Sequence, residues 1–227
     1  KYYKSDKVLK LYEARNLAIK HASGNFIAFL DTDDFWLPTK LKKQILLFSN
    51  NKDLKMVYSN CFILKEKKQS IFTKHNLPNG NITQQLLNHY RIPILTVLIK
   101  KNIFDEKLFN NNYEIIGDFD FFLKLSLKNF INSINEPLAY YRIHDLNTSL
   151  KKIHIQVSEL EEWVLLNKNK DSFKNYSFDG VKYTIQSLKI KKNFLDGKKI
   201  MALKEIIKKP FNIKKLKFLF LIFIPFK

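Results

Sequence analysis

The sequence predicts an α/β protein: a mixed sheet flanked by helices, followed by a helical C-terminal extension. Three observations carry this. Short apolar runs of strand length alternate with segments of helical periodicity over residues 8–145. Proline, glycine, asparagine and aspartate punctuate the joins. From about residue 149 onward the pattern is helical, broken near 168–179 and at Gly197.

The elements follow in order. Residues 8–22 place Leu11, Ala14, Leu17 and Ala18 at helical spacing, and Gly24 is the expected stop. Residues 26–30 (FIAFL) read as a short buried strand that ends in Asp31-Thr32-Asp33-Asp34. Pro38 is expected to open a second helix over 39–48, where its missing N–H costs nothing. Residues 55–64 (KMVYSNCFIL) form the next strand, and 65–80 read as polar and irregular, with Pro78-Asn79-Gly80 as a turn. A short helix over 82–90 leads to Pro93 and a strand over 94–100. Residues 118–129 are helical, with Phe121, Phe122, Leu125 and Leu127 as apolar faces, and 131–144 are extended. No internal repeat and no signal peptide is evident.

Composition narrows the function. The chain has 227 residues, 45% of them hydrophobic and 20 of them phenylalanine, which excludes a disordered chain. The five glycines (Gly24, Gly80, Gly117, Gly180 and Gly197) are too far apart for a glycine-rich phosphate loop. A lone Cys61 excludes an internal disulfide and a cysteine zinc site, and fits a reducing compartment. The chain begins at Lys1, and its only methionines are Met56 and Met201, so it is either processed or a piece of something longer.

The net charge of +19 is uneven: +8 over residues 1–150 and +11 over 151–227. Such a surplus attracts nucleic acid, an anionic membrane or a phosphorylated substrate, or is a solvated lysine-rich surface. No nucleic-acid-binding motif accompanies it, so no nucleic-acid partner is expected. Residues 216–226 (LKFLFLIFIPF) are apolar after a lysine-rich stretch. A bilayer span needs about 20 residues. The segment therefore reads as an interfacial anchor at an anionic membrane surface, or as a core or partner-facing segment.

The chemistry centres on Asp31, Asp33 and Asp34, directly after the FIAFL strand. Carboxylates this close repel one another, and a hard divalent cation would offset that. Ligand sites in open α/β sheets lie beyond the carboxyl ends of strands. An Asp-rich turn capping the next helix is the other reading. The stretch from Ala14-Arg15-Asn16 through Ala22-Ser23-Gly24, the apolar strand, and Leu30-Asp31-Thr32-Asp33-Asp34-Phe35-Trp36-Leu37-Pro38-Thr39-Lys40-Leu41 to Gln44 resembles the family 2 glycosyltransferases. Their pattern is an A-R-N helix, A-x-G, a strand, then L-D-x-D-D-x-W-x-P-x-K-L. Gly117-Asp118-Phe119-Asp120 is similar to the family's E-D-x-D helix start, and Glu136-Pro137-Leu138 through Arg142-Ile143-His144 and Ser149 to its P-L-x-x-Y-R-x-H…S strand. The resemblance covers roughly residues 8–150, and the nearest likeness is to bacterial enzymes that build cell-surface polysaccharides.

The resemblance implies a GT-A (Rossmann-like) mixed sheet without its first strands. It divides the chain into 1–150, the metal and acceptor half of the transferase domain, and 151–227, the helical extension with its basic, apolar tail. It implies a hexosyltransferase-like enzyme that moves a sugar from a nucleotide-sugar donor, a UDP-sugar foremost, to a glycan or lipid-linked acceptor at the inner face of the plasma membrane. Asp31-Thr32-Asp33 would be the D-x-D motif, Asp33 binding a divalent metal (Mn²⁺ or Mg²⁺) and Asp31 the ribose or the metal shell. Asp34 would cap the following helix and orient its neighbours. His144 would be a metal ligand or a structural histidine, and Arg142 a phosphate contact or a surface ion pair. Arg15 and Asn16 would lie near the nucleotide, Asn16 in contact with it or bracing the strand end. Trp36 would pack against the next helix or stack on sugar.

Asp118 would be the general base, or a helix N-cap, or both. A base on one face and a leaving group on the other imply an inverting displacement with no covalent intermediate. Gly117 departs from the family's acidic residue; Asp120 would either partly compensate or simply cap the helix. At about 30 residues per βαβ unit, roughly 60 residues are expected before Lys1, and the chain alone is expected to transfer no sugar. Two other readings stand beside this one. A non-catalytic basic module that docks on membrane or nucleic acid explains the charge but not the acidic cluster. An inactive transferase-like scaffold is suggested by Gly117.

Overall fold

The computed structural model describes residues 2–144 and 151–207. The segment 216–226 and Ser149, singled out above, lie outside them. The chain runs α1 (Leu11–His21), β1 (Phe26–Ile27), β2 (Phe35–Trp36), α2 (Lys40–Asn50), β3 (Met56–Lys65), β4 (Lys68–Ile71), α3 (Thr83–Asn88), a 3-10 turn (Ile94–Thr96), β5 (Leu98–Lys100), α4 (Ile103–Glu106), α5 (Gly117–Ser126) and β6 (Ile131–Ile143). Then come α6 (Ile153–Asn167), a 3-10 turn (Asp171–Phe173), α7 (Asp179–Leu195) and α8 (Lys199–Ile207).

The sheet order is β1-β5-β3-β6-β2, with β4 paired to β3 beside this path. Only β3 and β6 run parallel; the other pairs are antiparallel. Alternation along the strands covers both faces. Met56 and Tyr58 of β3 and Ile99 of β5 join the large core under α1, α3 and α5. Val57 and Leu98 join a smaller core with Phe48 of α2 on the opposite face. The large core continues without a break into Val157, Leu160 and Trp163 of α6 and Val181 and Ile185 of α7. The expected mixed sheet flanked by helices, with a helical C-terminal part, is therefore observed.

A break in one ladder and the pairing beyond it shape the site end of the sheet. The β3–β6 register shifts around Asn60, which lies opposite Pro137. Proline cannot donate to a ladder, so a central strand tolerates it only at such a break. The buried Asn60 carboxamide fills the gap: it donates to Thr73 O at 2.8 Å and accepts from the Cys61 N–H at 3.0 Å. Beyond the break, β2 pairs with β6 in the register Phe35↔Tyr140 and Trp36↔Ala139. That register lays the Asp31–Asp34 turn beside Arg142 and His144.

Several expected details differ. Helix α1 buries Tyr12, Asn16 and Ile19, while Leu11, Ala14 and Ala18 are exposed. The buried polar side chains are hydrogen-bonded, so apolar periodicity alone chose the wrong face. The helix stops at His21, with Ala22 rather than Gly24 as its extended cap. Pro38 lies outside α2, whose cap is Thr39. The segment 65–80 contains β4, because Glu66 adopts the left-handed φ of 53° that a tight hairpin needs. Residues 94–96 form a 3-10 turn before β5. Gly180 lets α7 approach α3, since a Cβ there would lie 2.3 Å from Asn88 Cα.

Candidate active site

Two acidic clusters meet on either side of Arg15. The first is the turn after β1. There the Arg15 guanidinium donates to Asp31 Oδ1 at 3.0 Å and Oδ2 at 3.2 Å. Asp33 Oδ2 lies 2.8 Å from His144 Nε2, and the Asp33 carbonyl accepts from Arg142 Nε. The hydrogen bond from His144 holds Asp33 below the usual carboxylate range. Asp34 is buried and accepts the Arg142 backbone N–H at 2.9 Å. Burial, with Asp33 and Asp31 nearby, pushes it up to about 6. Asp34 therefore caps the end of β6 rather than α2, which begins six residues later.

The second cluster surrounds Asp118 in the first turn of α5. Asp118 Oδ1 is 3.1 Å from the Tyr12 hydroxyl and Oδ2 is 3.2 Å from the Tyr90 hydroxyl. Burial raises Asp118 above the ordinary carboxylate range, while Arg15, the Phe119 N–H and the two phenols pull the other way. The N-cap position of α5 is Ile116, so Asp118 is not the plain cap. The cap is supplied from α6: Glu159 accepts the backbone N–H groups of Glu114 at 2.5 Å, Ile115 at 3.0 Å and Ile116 at 3.1 Å. Asp118 opens into a cleft of about 310 Å³ whose lining includes His89, Tyr90, Gln156, Leu160 and Thr184.

The remaining family-like residues are braces. Asn16 is buried; it donates to Phe109 O at 2.9 Å and Asn111 Oδ1 at 2.7 Å, and accepts the Phe109 N–H at 3.0 Å. It acts through the loop that precedes α5. Trp36 donates to Leu95 O at 2.9 Å, and the Lys40 ammonium lies 4.4 Å from its ring centroid. Lys40 donates to Gln44 Oε1 at 2.8 Å, and Gln44 to Thr96 O at 2.7 Å. The W-x-P-x-K…Q part of the pattern thus pins α2 to the turn before β5. Asp120 accepts from Trp163 Nε1 at 2.7 Å and pairs with Lys124, so it faces the helical extension.

Among the described residues, no group of three or more His, Cys, Asp and Glu side chains could hold a metal. Asp33 and His144 do offer a carboxylate and an imidazole side by side, and Asp31 is engaged by Arg15. Magnesium-type ions commonly keep waters and substrate phosphates with only one or two carboxylates, so the Asp33 carboxylate is the group here whose chemistry suits such an ion, while its Oδ2 is engaged by His144. Sequence reasoning missed Tyr12, Tyr90 and Glu159. Tyr12 was within reach, because it shares a helix face with Arg15 and Asn16 at spacings of three and four. Tyr90 and Glu159 are contacts between distant segments.

Residues 1–107 match the family described as Glycosyl transferase family 2. An uncharacterized glycosyltransferase of Methanocaldococcus jannaschii is 30% identical over 185 residues, covering 77% of this chain and 61% of that protein. The UDP-Glc:alpha-D-GlcNAc-diphosphoundecaprenol beta-1,3-glucosyltransferase WfgD of Escherichia coli is 36% identical over 124 residues, 54% of this chain and 46% of the relative. The crystal structure of S. aureus TarS aligns with a TM-score of 0.49 at 13% identity, covering 80% of this chain and 31% of that one. The chain spans less than two thirds of the length of these relatives.

Proposed function

From the premise that residues 1–107 belong to the family 2 glycosyltransferases, we propose that the protein moves a sugar from a nucleotide-sugar donor to a hydroxyl of a glycan or lipid-linked acceptor. A UDP-sugar is the proposed donor; the name of the Escherichia coli relative, a UDP-Glc-dependent glucosyltransferase acting on a diphosphoundecaprenol-linked sugar, supports both halves of this reading. The observation that carries it is the pair of clusters flanking Arg15: a cationic and acidic turn on one side, a half-buried carboxylate facing a cleft on the other.

Asp118 takes the proton of the acceptor hydroxyl as that oxygen attacks the anomeric carbon. The bond from that carbon to the diphosphate breaks, and its electron pair leaves with the phosphate. Attack and departure on opposite faces invert the anomeric centre. Arg142 and Arg15 carry permanent charge toward the departing diphosphate, and Asp31 and Asn16 set the position of Arg15 and of the 109–111 loop. Asp33 and His144 would hold a divalent cation (Mn²⁺ or Mg²⁺), which when bound supplies charge to the leaving group. The cleft lined by Tyr90, Gln156 and Thr184 receives the acceptor. Among the described residues no helix is long and apolar enough to cross a membrane.

The test uses the complete protein, since the chain alone is expected to transfer no sugar, with UDP, UDP-glucose and Mn²⁺. Asp33→Asn is expected to remove the Mn²⁺-dependent part of UDP binding measured by calorimetry. Asp118→Asn is expected to keep that binding and to lower transfer by about 10²–10⁴-fold, the usual weight of a general base. Undiminished transfer by Asp118→Asn would overturn the assignment of the base.

A further inference from the structure

We propose that Tyr12 is the positioning residue for Asp118, and that position 117 is glycine because the Tyr12 ring occupies the space a side chain there would need. The second half stands on packing alone. The first half rests on the reading of Asp118 as the base.

Tyr12 is 1% exposed, in the middle of the buried face of α1. A Cβ built on Gly117 would lie 2.6–2.7 Å from three atoms of the Tyr12 ring, closer than real Cβ atoms approach anything. The ring is packed among buried neighbours. Phe109 packs on it with centroids 5.5 Å apart, and the Arg15 guanidinium carbon sits 5.6 Å from its centroid. The family-like acidic residue is thus absent where α1 delivers a phenol to the same place. The departure at 117 and the tyrosine at 12 are two halves of one arrangement.

The Tyr12 hydroxyl then stands in for a polar neighbour. It is 2.8 Å from Ile115 O and 3.1 Å from Asp118 Oδ1. A phenol has one proton and can also accept. While Asp118 is a carboxylate, Tyr12 can turn its proton toward Oδ1. Once Asp118 has taken the acceptor proton, Tyr12 can donate to Ile115 O and accept from the new carboxylic O–H. Both protonation states keep their hydrogen bonds without movement of the backbone. Tyr90, at 3.2 Å from Oδ2, has its contact on the other oxygen.

The other groups around Asp118 come from three sides. Arg15 on α1 acts on it by charge, His89 beside Tyr90 and Gln156 of α6 line the same cleft, and Glu159 of α6 holds the backbone at 114–116.

Two measurements on the whole chain test this without any transfer assay. Carbon-13 NMR of the aspartate carboxyls reads the Asp118 titration directly. Tyr12→Phe keeps the ring and removes the hydroxyl, so the carboxylate loses a charge-assisted partner. Its midpoint should rise by about one pH unit, with the other aspartates unmoved. An unchanged Asp118 midpoint in a folded Tyr12→Phe protein overturns the positioning role.

The second measurement is a double-mutant cycle on melting temperature. Gly117→Ala should lower Tm in the native background and cost nothing further in a Tyr12→Ala background. Equal losses in both backgrounds overturn the steric link. If both measurements succeed while Asp118→Asn still transfers sugar, the placement of Tyr12 stands and the reading of Asp118 as base falls.

Discussion

Lys40 shows how a residue that looks functional by pattern is held for structural reasons. Its side chain is 0% exposed, and burial pulls its ammonium down to about 7 from an ordinary 10.5. The acceptors Gln44 Oε1 and Val97 O and the face of Trp36 surround it. The folded-state value lies below the unfolded one. Between about pH 7 and 10.5 the unfolded chain therefore binds a proton that the folded chain does not. The stability contributed by this group is present in full above the unfolded value and is lost as pH falls toward 7. Lys40→Met should flatten that part of the stability–pH curve, by on the order of a few kcal/mol between pH 7 and 10. Urea unfolding at several pH values, compared between the two proteins, checks it; parallel curves would refute it.

At the scale of elements, the parts legible in the sequence were those with strong local signals. Strand β3, the helices α3 and α5, and the breaks at 168–179 and Gly197 follow from apolar periodicity and from glycine and proline. Hairpin strand β4 was not legible, because Lys68–Ile71 is mostly exposed and its turn uses Glu66 at positive φ in place of glycine or asparagine. The face of α1 was misread because the side chains it buries include a tyrosine and an asparagine. In the candidate site, the residues next to one another in the chain, Asp31 to Asp34, were legible. Their partners His144 and Arg142 were legible by family resemblance. The Glu159 cap was not, since nothing local ties residue 159 to 114–116. That cap carries its own prediction. Glu159→Ala leaves three N–H groups at the start of α5 without acceptors and should cost about 2–3 kcal/mol in urea unfolding. Glu159→Gln retains one oxygen and should cost about half that. A loss within about 0.5 kcal/mol, the usual range for surface changes, would show that the cap is dispensable.

For the whole molecule, the charge of +19 encloses an acidic interior. Asp34, Asp120 and Glu159 are buried, and Asp118 is held among tyrosines, so buried carboxylates with hydrogen-bond partners sit inside a basic chain. The same buried contacts join the helical extension to the sheet. Trp163 of α6 donates to Asp120 of α5 and packs edge-on against Phe119 at 4.9 Å, with Phe173 and Phe178 on its other sides. Helix α5, which carries Asp118, is thus held partly by the extension. A core continuous across this junction should unfold as one cooperative unit. The two tryptophans of the chain report on its two parts, Trp36 at the sheet edge and Trp163 in the extension. Trp163→Phe leaves Trp36 as the only indole, and Trp36→Phe leaves Trp163. In each variant the urea midpoint from tryptophan fluorescence should equal the midpoint from far-ultraviolet circular dichroism. A Trp163 signal lost at lower urea than the dichroism would mean that the extension unfolds on its own, and that the Asp118 helix keeps its place without it.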